Sequence, residues 1–162
     1  MNHYKSWGSL NKQLEDLLCD ELKGRVSYFL TSYHKAHNSY GRAVIRLDKE
    51  ELVCFSWIET IRQEADLHRV WEETGTWDDL QLQQQWNEHA TYSDTDFLWA
   101  ATSFLQMPVL EALHSDNNIV RIFAILDKRI GKRTLCKIKE DGAYQTAPEW
   151  VKQFFDLRLA KL

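Results

Sequence analysis

The densest apolar stretch of the chain is SDNNIVRIFAILDKRIGKRTL, residues 115–135, and it constrains the fold most. Ile119, Val120, Ile122, Phe123, Ile125, Leu126 and Ile130 cover more than one face of a 3.6-residue period. A helix apolar on nearly every side belongs inside a protein, with the rest of the chain packed around it. Ser115 and Asp116 are suited to cap its start, because their side-chain oxygens accept the free N–H groups of a first turn. Gly131 stands where such a helix would stop, in the left-handed conformation that glycine adopts at little cost. Lys128 and Arg129 then fall in the last turn, against the negative end of the helix dipole.

Two features of this stretch go beyond helix logic. Asp127 shares part of the apolar face, and a carboxylate there needs a partner because an unpaired buried charge is very costly. Arg133 and Arg158 are the expected partners in a structural ion pair. The second feature is charge. Residues 121–139 hold seven Lys/Arg and one acid, a net +6 in a chain whose total is −4, which leaves −10 for the remainder. Such asymmetry can steer a charged partner. Lys128, Arg129, Lys132, Arg133 and Lys137 are therefore a candidate anion-binding group. The plainer reading makes them a solvated exit from the helix, since cations at helix C-termini are common for structural reasons.

At 162 residues the chain matches one domain, 1–162, with room for a real core. It is 44% hydrophobic and 27% charged, which excludes a disordered chain. Seven Trp suit either a core or a binding surface. The net charge of −4 argues against a general nucleic-acid coat, though not against a local basic patch. Cys19, Cys54 and Cys136 are odd in number and scattered, with no zinc or redox spacing, as in reduced cytosolic thiols. The N-terminus shows no signal-peptide pattern, and the longest uncharged apolar run, residues 97–110, is too short to span a bilayer and contains Pro108. The expectation is a cytoplasmic protein with no membrane role.

In chain order, Ser9 is placed to cap a first helix carrying Leu10, Leu14, Leu17 and Leu18, closed by Gly24. VSYFLTSY at 26–33 is rich in strand formers, 42–47 alternates as a strand, and 48–50 suits a hairpin loop before a return strand at 51–55. Residues 26–55 thus predict a small antiparallel sheet. Ser56 with Glu59 forms a capping box for a helix that runs on towards Gly75. Further helices are predicted after Thr76 or Asp78, after Ser93, at Pro108, and at Pro148 with a stripe of Trp150, Val151, Phe154, Phe155 and Leu159. Residues 59–96 carry ten acids and two arginines, an acidic counterpart to the basic run. The fold class is α+β: an N-terminal helix, the sheet, then a helical C-terminal half packed against it.

The segments SDTDFLWAA at 93–101, SDNNIVRIFAILDKRIGKRTL at 115–135 and PEWVKQFFDLRL at 148–159 resemble a family of small uncharacterised bacterial proteins, and GRAVIRLDKEELVCFS at 41–56 is compatible with it. The likeness covers about two thirds of the chain. It implies a bacterial cytosolic setting and assigns no catalytic residue.

Chemical motifs are sparse. His34 and His37 are the one close histidine pair, but they sit in a turn-like segment with no third ligand nearby, so no metal site is assigned. No GxSxG, GxGxxG or GxxxxGK[ST] is present, and no cofactor is implied. Cys54 reads as a small strand hydrophobe; as a nucleophile it would need a base such as His68, His89 or His114. His114 is suited to proton transfer or to ending the Pro108 helix. The leading expectation is a non-enzymatic interaction protein that binds a protein partner or itself. The alternatives are anion or nucleic-acid binding through the basic segment, and an enzyme with Asp127 in its site.

Overall fold

A computed structural model describes residues 6–32, 41–56, 68–69, 72–75 and 88–160. The fold is α+β, and its order follows the sequence expectation. Helix α1 (Trp7–Asp16) is capped by Ser6, whose hydroxyl accepts from Ser9 N–H; Ser9 itself lies inside the helix. Leu10 and Leu14 face the interior.

Strands β1 (Val26–Ser32), β2 (Gly41–Leu47) and β3 (Glu50–Ser56) form an antiparallel sheet in that order. The register aligns Tyr28 with Ile45 and Val53, and Leu30 with Ala43 and Phe55, so one face turns to the helices. The other face aligns Phe29, Val44 and Cys54. There Arg46 lies 4.1 Å over the Phe29 ring, and both Arg42 and Arg46 reach Glu51. The hairpin loop is the pair Asp48–Lys49, both at positive φ, as a two-residue turn between twisted strands requires. Of the helix expected from Ser56 towards Gly75, residues 57–67 and 70–71 lie outside the described residues, while 68–69 and 72–74 are helical; most of the segment expected after Thr76 or Asp78, and His34 and His37, also lie outside them.

Helix α2 (Asp94–Gln106) begins with a true capping box: Ser93 accepts from Asp96 N–H, and the Asp96 carboxylate accepts from Ser93 N–H. It buries Phe97, Ala100, Ala101 and Phe104. Short α3 (Val109–Leu113) follows Pro108. Helix α4 (Asn118–Leu126) is the buried helix expected from composition: Asn118, Ile119, Val120 and every residue from Ile122 to Leu126 are buried. Phe123 meets Tyr28, Phe97 and Phe104 ring to ring. Helices α5 (Lys132–Glu140), α6 (Ala143–Thr146) and α7 (Glu149–Leu159) complete the described chain, with Val151, Phe154 and Phe155 of α7 fully enclosed. One continuous apolar cluster reaches from Leu14 to Phe155.

The central stretch is not one helix ending at Gly131. It breaks at Asp127, where the backbone turns extended (φ −74°, ψ 133°), and Gly131 (φ −79°) opens α5 in an ordinary conformation. The cause is the aspartate side chain. Its Oδ1 accepts from Arg129 N–H at 2.8 Å, giving the backbone a local alternative to the helical hydrogen bond. Lys128 N–H then donates to Leu17 carbonyl oxygen, and Cys19 N–H to that of Leu126, so the exit of α4 is tied to the loop after α1.

Candidate functional site

The break at Asp127 redistributes the residues singled out by sequence. The Asp127 side chain is 0% exposed and its carboxylate is held by Arg129, with Nε at 2.9 Å and Nη2 at 2.7 Å. Arg129, not Arg133 or Arg158, is thus its partner, and in Arg129 this contact raises the guanidinium pKa further above its ordinary value. Arg158 is buried and donates to backbone instead, to the carbonyl oxygens of Ile125, Asp127 and Ile130. It takes up the Ile125 acceptor that the end of α4 leaves free and ties it to the turn at residues 127–130. A carboxylate enclosed in this way has no route to a substrate.

Lys128, Arg129, Lys132, Arg133 and Lys137 are all exposed. They are not gathered at the negative end of a dipole, because Lys132 and Arg133 occupy the first turn of α5, its positive end. Arg129 is committed to Asp127, and Lys132 lies 3.6 Å from Glu21. Arg133 and Lys137 stand one helical turn apart on α5.

A cavity among the described residues lies elsewhere, between the start of α4 and the α5–α7 corner. It is an open cleft of about 870 Å³. None of the five basic residues lines it. Its polar groups include Glu88, His114, Asp116, Asn118, Arg121 and Glu149, with Leu113, Ile138 and Ala147 as apolar wall. Local sequence explains the presentation. His114 ends α3, and Ser115 Oγ accepts from Asn117 N–H at 3.1 Å. Asn117, not Ser115 or Asp116, is the N-cap of α4: its Oδ1 accepts from Ile119 and Val120 N–H at 3.0 and 3.2 Å. His114 and Asp116 are therefore left exposed on the cleft side of the loop.

Arg121 is the one charge on the otherwise apolar α4 sequence. It is half-buried, and its Nη1 donates to Asn118 Oδ1 at 3.3 Å. Among the described residues no carboxylate approaches it within ion-pair distance. Burial pushes its pKa below the ordinary arginine value, with the Asp116 charge acting against that. Asn118 is itself buried and touches the Tyr92 hydroxyl.

In the sequence Arg121 stands out only within the basic run, and Asp116 only as a cap candidate. The available signal was a single arginine inside NIVRIFAIL, an expensive place for a charge without a purpose. The three cysteines are free thiols: Cys19 buried, Cys54 half-buried and Cys136 exposed. Cys54 lies on the outer sheet face beside Arg42, away from the cleft.

No curated protein and no solved structure matches the chain. A family model matches residues 6–159, nearly the whole of it, and by that match the chain belongs to the SF0329 protein family.

Proposed function

We propose that the protein is a non-enzymatic interaction protein of the bacterial cytosol that receives part of a protein partner in the cleft beside α4. The observation that carries this reading is the cleft itself: about 870 Å³, open, and lined by apolar wall and charged groups in one place. Concave sites with an apolar surface and a few convergent polar groups are where proteins take ligands. The enclosure of Asp127 supports binding over catalysis, since it was the best single candidate for chemistry.

The test is affinity capture from bacterial lysate with three baits: the parent, Thr146→Trp and Lys137→Glu. Thr146 is exposed on the cleft wall, so a tryptophan there narrows the cleft from its surface side. A stoichiometric partner kept by the parent and Lys137→Glu and lost by Thr146→Trp supports the reading. A partner kept by all three refutes it. Sedimentation of the purified protein distinguishes self-association.

A second reading is anion or nucleic-acid binding through Lys128, Arg133 and Lys137, with Arg129 and Lys132 partly neutralised by Asp127 and Glu21. It is supported by the exposure of all five side chains. It requires binding that weakens steeply with salt, because phosphate contacts release counterions. Reversing Arg133 and Lys137 together should remove that binding.

A further inference from the structure

The charges of the cleft are arranged by depth. Arg121 is half-buried at its floor, while Glu88, Asp116 and Glu149 are exposed at its rim. A guanidinium has five N–H donors, and the resolved bond of Arg121 uses one, to a neutral amide. The rim carboxylates are open in a complementary way. The Glu149 side chain is 88% exposed and, among the described residues, its ion pair is with Lys152, one turn along its own helix. Asp116 acts on Arg121 through space without reaching it.

A purely acidic ligand would pass three rim carboxylates to reach Arg121. A purely basic one would leave Arg121 facing a cation. A segment with an acid between bases satisfies both levels. Resting on the cleft's being the binding surface, we infer that it recognises a partner's polypeptide segment in which one carboxylate, flanked by Lys or Arg, seats on Arg121 while the flanking cations meet Asp116 and Glu149. Complementary charge of this kind sets register and specificity, and a planar guanidinium is the side chain best matched to a carboxylate.

The experiment titrates the full chain with two acetylated, amidated pentapeptides, KKEKK and KKQKK, followed by ¹⁵N–¹H NMR. KKEKK is expected to bind about tenfold more tightly, the equivalent of one charge-assisted hydrogen bond. Arg121→Gln, which keeps a donor for Asn118, should make the two peptides equal. Arg121→Lys should retain part of the difference. Glu149→Gln should weaken both peptides alike. Equal affinities on the parent chain, a ratio that survives in Arg121→Gln, or no binding of either peptide at millimolar concentration would overturn the inference. Thr146→Trp separates it from the reading beneath it. If both peptides bind Thr146→Trp as they bind the parent, the cleft is not the site. If Thr146→Trp blocks both and Arg121→Gln leaves the ratio intact, only the carboxylate anchor fails. Self-association of the free chain at the same concentration, abolished by Thr146→Trp, would give the cleft to a second copy and likewise overturn it.

Discussion

Replacing Arg158 by Met tests how far its bonds to backbone carbonyls hold the exit of α4 in place. The substitution keeps length and apolar bulk and removes the guanidinium. In the folded protein that guanidinium serves the carbonyl oxygens of Ile125, Asp127 (3.2 Å) and Ile130 (2.6 Å), all in buried surroundings. A buried acceptor left without a donor costs about 1–3 kcal/mol. The Asp127 oxygen keeps Ile130 N–H at 3.1 Å, so two acceptors lose their donor and the expected loss is about 2–6 kcal/mol. Against a total stability of about 5–15 kcal/mol for a domain, that is a large fraction. Urea unfolding followed by tryptophan fluorescence and by circular dichroism measures it, with the midpoint falling at unchanged slope. The opposing effect is desolvation. Arg158 is a buried cation, and its Nε has no hydrogen-bond partner. Exchange of buried ionic groups for packed apolar ones is sometimes neutral or stabilising. A loss below about 1 kcal/mol in Arg158→Met would mean that desolvation cancels the carbonyl bonds, and the capping argument would be wrong.

Three further outcomes follow from local geometry. Lys49 sits at φ +75° in the β2–β3 turn, so Lys49→Gly should stabilise the hairpin by roughly 0.5–1 kcal/mol in thermal unfolding; a loss would show that Lys49 makes a side-chain contribution. A Cβ on Gly41 would come 2.3 Å from Asp94 Oδ2 and 2.9 Å from Thr31 carbonyl oxygen, so Gly41→Ala should cost about 1–3 kcal/mol, and a neutral result would mean the α2 start yields freely. Burial raises the pKa of Asp94, so the folded state holds that proton more tightly than the unfolded state. Its penalty is therefore present at neutral pH and is relieved as pH falls through the folded pKa. Asp94→Asn should raise stability at pH 7 and flatten the pH dependence of urea midpoints on the acid side; an unchanged pH profile would refute this.

The fold was legible wherever one residue type has one dominant physical consequence. Strand formers at 26–32 and the alternation at 42–47 yielded the sheet, and Ser93, Pro108 and Pro148 marked helix starts at those positions. Legibility failed where side chains compete for the same backbone groups. Ser6 and Ser9 both qualify as caps, as do Ser115, Asp116 and Asn117, and tertiary contacts choose among them. The Asp127 stop was hidden because an aspartate on an apolar face suggests an ion pair before it suggests a turn. Its carboxylate pairs with Arg129, two residues on, a partner that helical spacing does not point to. The cleft was least visible, because no local pattern announces a cavity assembled from residues 88–89, 113–121, 138 and 143–149.

The tie between residues 17–19 and 126–128, with Arg158 closing over it, also bears on the order in which the molecule can come together. Synthesis delivers the N-terminal segments first. Yet the loop after α1 has no seat until the exit of α4 exists, and the carbonyl groups of Ile125 and Ile130 gain their side-chain donor only when Arg158 has been made. Contacts of such long sequence separation form slowly. The early helix and sheet therefore lack their partners on α4 until more than a hundred further residues have followed Leu17, an interval in which their apolar faces are open to chaperones.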